Sequence, residues 1–241
     1  MSDVPSYWEE LERPGPDTVE VDGVALRARS RVRLKPRKGG DVFDLALAGR
    51  TAVIEGIEQD MEGNLQLAVA IDDDPGRDLG ERWHRFFFSP AEVAPLRVLV
   101  AGIGNVFLGD DGFGCALAER IGARPGADVA DFGIRGMDLA YALADYDVVV
   151  FLDATPRGGE PGTLYVIEAD LDDLPAGFDA HGMDPVTVLA LAKTLGSALP
   201  RTFVLGCEPS AAEEFTGLSA PVQAALEEAE KLLDEILRKE T

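Results

Sequence analysis

The pattern of apolar and polar residues changes near Pro95 and predicts two domains. Before this point, segments such as 50–58 and 65–71 show strand-like alternation and are separated by turn residues. Short strands joined by such turns are typical of a small β-barrel, and we expect an SH3-like or Tudor-like barrel over residues 19–95. Residues 1–18 are polar and proline-rich, which predicts a flexible lead-in.

After Pro95, apolar runs of strand length alternate with amphipathic helical stretches. The predicted strands are 98–101, 147–152, 164–167 and 202–205, with 127–132 as a further candidate. Asp184 precedes one predicted helix, and Ser219 begins the last one. This alternation predicts an α/β fold over residues 96–241, in which helices cover both faces of a mainly parallel twisted sheet. The expected arrangement is a three-layer αβα fold of the phosphorylase/hydrolase-like type.

Acidic residues follow two of the predicted strands. Asp110 and Asp111 lie after the first strand, beyond a turn that contains Gly102 and Gly104, and Asp153 ends the second strand. In a parallel sheet the carboxyl ends of the strands meet at one edge, and ligands bind there. We therefore expect these carboxylates to form an acidic site at this edge.

The acidic loop has two simpler interpretations. Glycines between a strand and a helix also form phosphate-binding loops. Such loops need free backbone amides at the start of the helix, usually with a lysine or arginine. Here two carboxylates occupy that position and no lysine or arginine lies between Val98 and Glu119, so the sequence favours a cation or proton chemistry. Asp110 alone fits a helix-capping role equally well.

Composition limits the class of protein. The chain has 241 residues, of which 46% are hydrophobic, without an apolar run long enough to span a bilayer or a leader at Met1. These features predict a cytoplasmic protein without a membrane span. The net charge of −22 argues against nucleic acid as a partner. Cys115 and Cys207 are far apart in the sequence, and we expect both to be buried reduced thiols.

Six basic residues of the first domain fall on alternate positions. They are Arg27, Arg29, Arg31, Arg33, Lys35 and Arg37. A single strand would carry all six on one face, so they predict a positive stripe in a negative molecule. The stripe either packs against the acidic second domain or docks an acidic partner, and a solvated strand edge protected by charge is the alternative.

His181 is the only histidine after Pro95, and it lies in a predicted loop just before a helix. A lone histidine in a loop is usually a surface residue. Together with two carboxylates, however, one imidazole makes a three-ligand set with open positions, which suits a divalent transition metal.

With these residues the sequence resembles the hydrogenase maturation proteases, which trim the C-terminus of the nickel-iron hydrogenase large subunit. The resemblance covers about residues 97–237 and leaves the first domain outside it. Its motifs are Gly102-Ile-Gly-Asn105, Gly109-Asp-Asp-Gly-Phe-Gly114, Asp131-Phe-Gly-Ile-Arg-Gly136, Asp153-Ala154, Pro161-Gly162 and the His181 loop. The chain departs from the family at Asp111, where glutamate is frequent, and after Asp131, where Gly-Gly-Thr or similar is frequent.

The resemblance implies the site residues and the reaction. It implies that Asp111, Asp153 and His181 contact a divalent metal, with nickel as the implied ion, and that Asp111 and Asp153 are catalytic. Asn105, Asp110 and Asp131 stand in the same motifs and are expected to contact the substrate. The implied activity is an endopeptidase that removes the C-terminal extension of the large-subunit precursor after nickel insertion.

Two questions stay open at the level of sequence. The metal is either a resident cofactor that polarises the scissile carbonyl or generates hydroxide, or nickel already seated in the precursor and inspected by these ligands. The protein is also open to a different class of function, as a non-catalytic maturation chaperone or a metal-binding adaptor. No Gly-x-Ser-x-Gly elbow offers a competing nucleophile.

Overall fold

The computed structural model describes residues 13–37, 46–60, 62–72, 85–172, 174, 184–210 and 217–240. The chain divides into two compact units, with the boundary between Leu96 and Arg97. Lys239 and Glu240, at the end of the last helix, group with the first unit. This division falls one residue from the boundary that the sequence pattern indicates.

The first unit, called here the N-terminal β-unit, is built from short antiparallel strands. They are β1 (Arg13–Pro14), β2 (Thr18–Val21), β3 (Val24–Arg27), β4 (Arg31–Leu34), β5 (Thr51–Gln59), β6 (Leu65–Ile71), β7 (Phe86–Phe88) and β8 (Val93–Pro95). One sheet has the order β7-β6-β5-β4-β8 with β1 added beside β5, and β2 and β3 form a separate hairpin. Apolar residues from both, such as Leu26 and Ile54, share one core.

Of two expectations for this unit, the barrel is not confirmed and the lead-in needs correction. The pairing places β7 and β8 at the two ends of the sheet, so the described strands form an open sheet, and a closed barrel of the SH3 or Tudor type is not established. Residues 1–12 lie outside the described residues, but Arg13 and Pro14 pair with Gln59 and Glu58. The predicted lead-in over 1–18 is therefore wrong at these two residues, because they belong to the sheet.

The predicted basic stripe is also wrong. Arg27 ends β3, Arg29 lies in a turn with a φ of 75°, and β4 begins only at Arg31. The turn is held by the backbone amide of Arg29, which donates to the carbonyl of Ile54 at 2.7 Å, and by a bond from the amide of Ser30 to the carbonyl of Arg27. The six basic side chains therefore lie on two strands, a turn and the segment after β4.

Acidic residues of the same unit pair with several of these basic side chains. Arg31 contacts Asp72 at 2.6 Å and Arg37 contacts Glu92 at 3.5 Å. Such local pairing removes the concentrated positive field on which the docking hypothesis depended.

The second unit, called here the α/β unit, contains five strands and four helices among the described residues. They are β9 (Val98–Ile103), α1 (Phe113–Ile121), β10 (Asp128–Gly133), α2 (Gly136–Ala142), β11 (Val148–Ala154), β12 (Leu164–Glu168), α3 (Pro185–Thr194), β13 (Arg201–Cys207) and α4 (Ala220–Glu240). The sheet order is β10-β9-β11-β13-β12. Four strands are parallel and β12 is antiparallel at one edge, so the sheet is mixed.

Helices cover both faces of this sheet. On one face, residues of α2 and α3 such as Leu139 and Val188 share a core with Ala101 and Phe151 of the strands. The alternate strand residues, including Val100, are equally buried, so the opposite face is covered as well. There α1 packs on β9 to β11 and is tied to α4 by ion pairs from its C-terminal side.

This arrangement is the three-layer α/β fold that the alternating pattern predicts, with an antiparallel edge strand added. None of the helices in the described part of the chain is long and apolar enough to cross a membrane.

Candidate active site

The first element of the site is the loop that follows β9. Gly104 has a φ of 119°, and a Cβ at this position would lie 1.9 Å from the carbonyl oxygen of Asp111. Only glycine allows this approach, which folds the loop back on itself. The backbone amide of Asn105 then donates a hydrogen bond of 2.6 Å to Oδ2 of Asp111. The loop therefore fixes the Asp111 carboxylate beside the end of β9.

The second element is the end of β11, which carries Asp153. This strand pairs in parallel with β9, with Leu152 opposite Gly102, so both strands end at the same edge of the sheet. Gly114 brings α1 close, because a Cβ there would lie 1.9 Å from the carbonyl oxygen of Leu152. Asp153 is 9% exposed, so its carboxyl group is largely withdrawn from water.

Asp111 and Asp153 line a common pocket of about 370 Å³. The described residues that line it are Gly104, Asn105, Leu108, Asp111, Ile134, Asp153, Ala154 and Asp184. Three of these side chains are carboxylic acids, and none of the described lining residues is a lysine or an arginine. The predicted meeting of Asp111 and Asp153 at the sheet edge is thus present in the structure.

The surroundings of Asp153 favour its protonated form. Burial raises the pKa of this carboxyl to about 8, and the negative charges of Asp111 and Asp184 act in the same direction. A hydrogen bond from the backbone amide of Ala154 opposes them. At neutral pH Asp153 can therefore hold a proton that an ordinary aspartate would lose.

Asp110 has a different environment from its neighbour. Its carboxylate accepts hydrogen bonds from the amide of Ser210 at 2.8 Å, from the amide of Ser219 at 2.6 Å and from the Ser219 hydroxyl at 2.8 Å. Burial alone would raise the pKa of Asp110, but these bonds hold it below its ordinary value. The residue is not among the pocket lining, and these contacts give it a structural role, distinct from the expected substrate contact.

The other two expected substrate contacts lie in different places. Asn105 lines the pocket, and its side-chain oxygen accepts a hydrogen bond from the amide of Phe107 at 3.0 Å. Asp131 is an exposed residue of β10, and its carboxylate accepts from the amide of Gly133 at 2.8 Å. Of the two, Asn105 is positioned to meet a ligand in the pocket.

The third predicted metal contact, His181, lies outside the described residues, as does the loop that contains it. Within the described residues, no group of three or more His, Cys, Asp or Glu side chains is arranged to hold a metal ion. Asp111 and Asp153 thus provide two carboxylates for a cation, and the role of His181 stays a prediction.

Two further acids near this edge were not among the predicted site residues. The sequence pattern indicates Asp184 only as the residue at a helix start. In the structure its carboxylate accepts a hydrogen bond from the amide of Thr187 at 3.0 Å, and the residue also lines the pocket. Glu208 directly follows β13, and an acid after a buried strand was the signal that identified Asp153. The same signal applied to every predicted strand would have identified Glu208.

Glu208 organises the loop after Asp153. Its carboxylate accepts from the backbone amides of Arg157 and Gly158 at 2.8 and 3.0 Å, and from the hydroxyl of Tyr165 at 2.8 Å. Burial alone would raise the pKa of Glu208, but these donors, led by the hydroxyl of Tyr165, together hold it below its ordinary value. The carboxylate thereby fixes residues 157 and 158 to the end of β13.

The cysteines do not offer a nucleophile. Cys115 and Cys207 are buried free thiols. Burial raises the pKa of each to about 12, so neither forms a thiolate near neutral pH.

Comparison with known proteins is consistent with this geometry. The model of the family described as hydrogenase maturation protease matches residues 114–236, just over half of the chain. The chain belongs to the hydrogenase maturation protease family. Its α/β unit contains the matched region, and the family is one of proteases.

Individual relatives are similar to just over half of this chain. The hydrogenase expression/formation protein HupD of Rhodobacter capsulatus is 34% identical over 139 residues, which is 54% of this chain and 65% of the relative. The hydrogenase 2 maturation protease of Escherichia coli is 27% identical over 143 residues, covering 56% of this chain and 86% of the relative. The solved structure of the hydrogenase maturating endopeptidase HybD from E. coli has a TM-score of 0.50 and 26% identity, and covers 60% of this chain and 93% of HybD.

Proposed function

We propose that this protein is an endopeptidase that removes the C-terminal extension of a nickel-iron hydrogenase large-subunit precursor after nickel insertion. The observation that carries the proposal is the pocket in which Asp111 and Asp153 lie at the carboxyl edge of the sheet, in a member of a protease family. This is the place where ligands bind in folds of this type.

The two carboxyl groups are suited to divide the acid and base roles of hydrolysis. Asp153 holds a proton at neutral pH because burial and its acidic neighbours raise its pKa to about 8. In the proposed reaction, Asp111 takes a proton from a water molecule that attacks the scissile carbonyl carbon. Asp153 then gives its proton to the departing amide nitrogen as the carbon–nitrogen bond breaks. One peptide bond and one water molecule are consumed, and a carboxylic acid and an amine are formed. Return of a proton from Asp111 to Asp153 through solvent restores the starting state.

The donor set fits nickel that arrives with the substrate. The described pocket lining has three carboxylic acids, Asp111, Asp153 and Asp184, but no group of three or more His, Cys, Asp or Glu side chains among the described residues is arranged to hold a metal ion by itself. A nickel ion already seated in the precursor brings ligands of its own and needs only a few more. The negative charges of Asp111 and Asp184 beside Asp153 also favour a cation in this pocket. We therefore propose that nickel is recognised as part of the substrate, with Asp111, Asp153 and His181 as its contacts, and that each aspartate uses one carboxyl oxygen for the cation and the other for proton transfer.

This proposal can be tested with purified precursor in nickel-loaded and nickel-free forms. The protein is first treated with a chelator and desalted, and the large subunit is then analysed by intact-mass spectrometry. We expect shortening of the nickel-loaded precursor only. Shortening of the nickel-free form would show that nickel is not the recognised feature, and loss of activity on chelation would indicate a resident metal. A stable complex without shortening would favour the chaperone alternative.

A further inference from the structure

An exposed apolar surface borders the pocket on two sides. It consists of six side chains with exposed fractions of 47 to 75%, and we call it the apolar rim: Val106, Phe107, Leu108, Ile134, Met137 and Tyr141. Leu108 and Ile134 also line the pocket. The loops that carry these two residues are joined by a hydrogen bond of 3.1 Å from the amide of Gly104 to the carbonyl of Gly133. The rim is therefore continuous with the candidate active site.

The α2 part of the rim follows a helical repeat. Met137 and Tyr141 are four residues apart on α2 and are 52 and 60% exposed, whereas Leu139 and Ala140 of the same helix are fully buried in the core. This helix is thus apolar on the face that packs and on a face that meets solvent. A helix at the surface of a monomer normally carries polar residues on its outer side.

The loop part of the rim is held in its exposed position. The side-chain oxygen of Asn105 accepts from the amide of Phe107 at 3.0 Å, and the carbonyl of Asn105 accepts from the amide of Leu108 at 3.0 Å. Asn105 itself donates to Asp111. These bonds keep Phe107, which is 75% exposed, directed outwards. Apolar side chains fixed in water in this way are typical of a preorganised interaction surface.

We infer that the apolar rim docks on a complementary apolar groove of the folded part of the precursor, next to the segment that enters the pocket. This inference rests on the proposed function, because a substrate in the pocket must pass the rim. Phe107, Met137 and Tyr141 of the rim are more than half exposed and lie outside the pocket lining, whereas extended peptides bind in grooves or along sheet edges, so a folded partner is the better fit. A second copy of the chain is disfavoured by the net charge of −22, which makes self-association repulsive.

The inference predicts a change in substrate binding without a change in the chemical step. The test variant carries Phe107→Ser, Met137→Ser and Tyr141→Ser, none of which is in the pocket lining. The control is Val166→Ser, because Val166 on β12 is 49% exposed, at the opposite edge of the sheet from β10. With nickel-loaded precursor, we expect KM to rise at least tenfold in the test variant, kcat to stay within threefold, and the control to match the wild type. An unchanged KM would overturn the inference.

A binding experiment separates the failure of this inference from the failure of the proposed function. The affinity of each protein for labelled precursor is measured by fluorescence anisotropy. Each protein also carries Asp153→Asn, so that the precursor is not cleaved during the measurement. We expect the rim substitutions to weaken binding at least tenfold at both low and high salt, since apolar docking is not screened. If only the protein with the rim substitutions binds the precursor weakly, the result supports the rim even if the wild type cleaves nothing. Equal binding by both would overturn the rim even if the wild type cleaves.

Two further outcomes identify other occupants. A synthetic peptide that spans the extension and the ten residues before it is added in excess to the complex. The inference expects the precursor to stay bound, and complete displacement by the peptide would show that the rim binds extended chain. Light scattering of the free protein should give the same mass for wild type and variant, and a wild-type dimer that the rim substitutions dissociate would assign the surface to a second copy.

Discussion

Asp110 and Asp111 are adjacent in the chain, but their carboxylates serve different parts of the structure. Asp111 lines the pocket and accepts a hydrogen bond from the amide of Asn105. Asp110 is buried and joins the turn after β9 to the segments on either side of residues 211–216, through Ser210 and Ser219. One acid is thus available to a ligand, and its neighbour fixes the backbone that carries it.

The first prediction concerns this structural role of Asp110. We expect Asp110→Ala to lower the stability of the α/β unit by about 3 kcal/mol, because three donors lose a charged acceptor. Amide hydrogen exchange at Ser210 and Ser219 should accelerate, while Asp145→Ala, a change at an exposed residue, should leave both amides protected. Unchanged exchange at both serines in the Asp110 variant would show that these bonds do not hold the segment.

A second prediction follows from the raised pKa of Asp153. The unfolded chain loses this proton near pH 4 and the folded protein near pH 8, so unfolding releases a proton between these values. Stability of the metal-free protein should therefore fall as pH rises through this window and level off above it. Asp153→Asn should remove this contribution, and its advantage in melting temperature over the wild type should be larger at pH 8.5 than at pH 5. The same difference at both pH values would contradict the assigned pKa.

The third prediction tests the close approach at Gly104. A methyl group there would overlap the carbonyl oxygen of Asp111, and the φ of 119° is strained for any other residue. We expect Gly104→Ala to destabilise the α/β unit by more than about 2 kcal/mol and to abolish processing. Gly56→Ala is the control, because a Cβ at Gly56 meets no atom within 4 Å and its φ is not in the left-handed region. Full processing by the Gly104 variant would show that this loop geometry is dispensable.

The fourth prediction concerns Glu208, which holds the loop after Asp153. Glu208→Ala removes both carboxylate oxygens, and with them the acceptors for the backbone amides of Arg157 and Gly158. We expect exchange of these two amides to accelerate at least tenfold. Tyr165→Phe removes only the hydroxyl bond and should have a smaller effect. Equal protection in wild type and Glu208 variant would argue against the anchoring role.

The sequence predicted the α/β unit because its signals are local and agree with one another. Apolar runs such as 148–152 are buried on both faces in the structure, and the acids that follow the strands meet at one edge, as the rule for parallel sheets requires. Asp111 and Asp153 could therefore be placed together from the sequence alone. Asp184 could not, because its capping role already explained it.

The failures came from contacts that join distant parts of the chain. The alternation from Arg27 to Arg37 continues through the turn at Arg29, since Leu26 and Val32 are both buried on the same two-residue repeat. The pattern therefore looked like one strand. The turn depends on a bond to the carbonyl of Ile54, which no local pattern reveals. The role of Asp110 likewise depends on serines about a hundred residues away.

The most direct test of the proposed mechanism is processing of nickel-loaded precursor by Asp111→Asn and Asp153→Asn, followed by intact-mass spectrometry. Both changes keep the size of the side chain and remove the acid. With circular dichroism showing an unchanged fold, we expect each variant to leave the precursor at full length while Asp145→Asn, the exposed control, shortens it as the wild type does. Complete removal of the extension by either folded pocket variant would contradict the account.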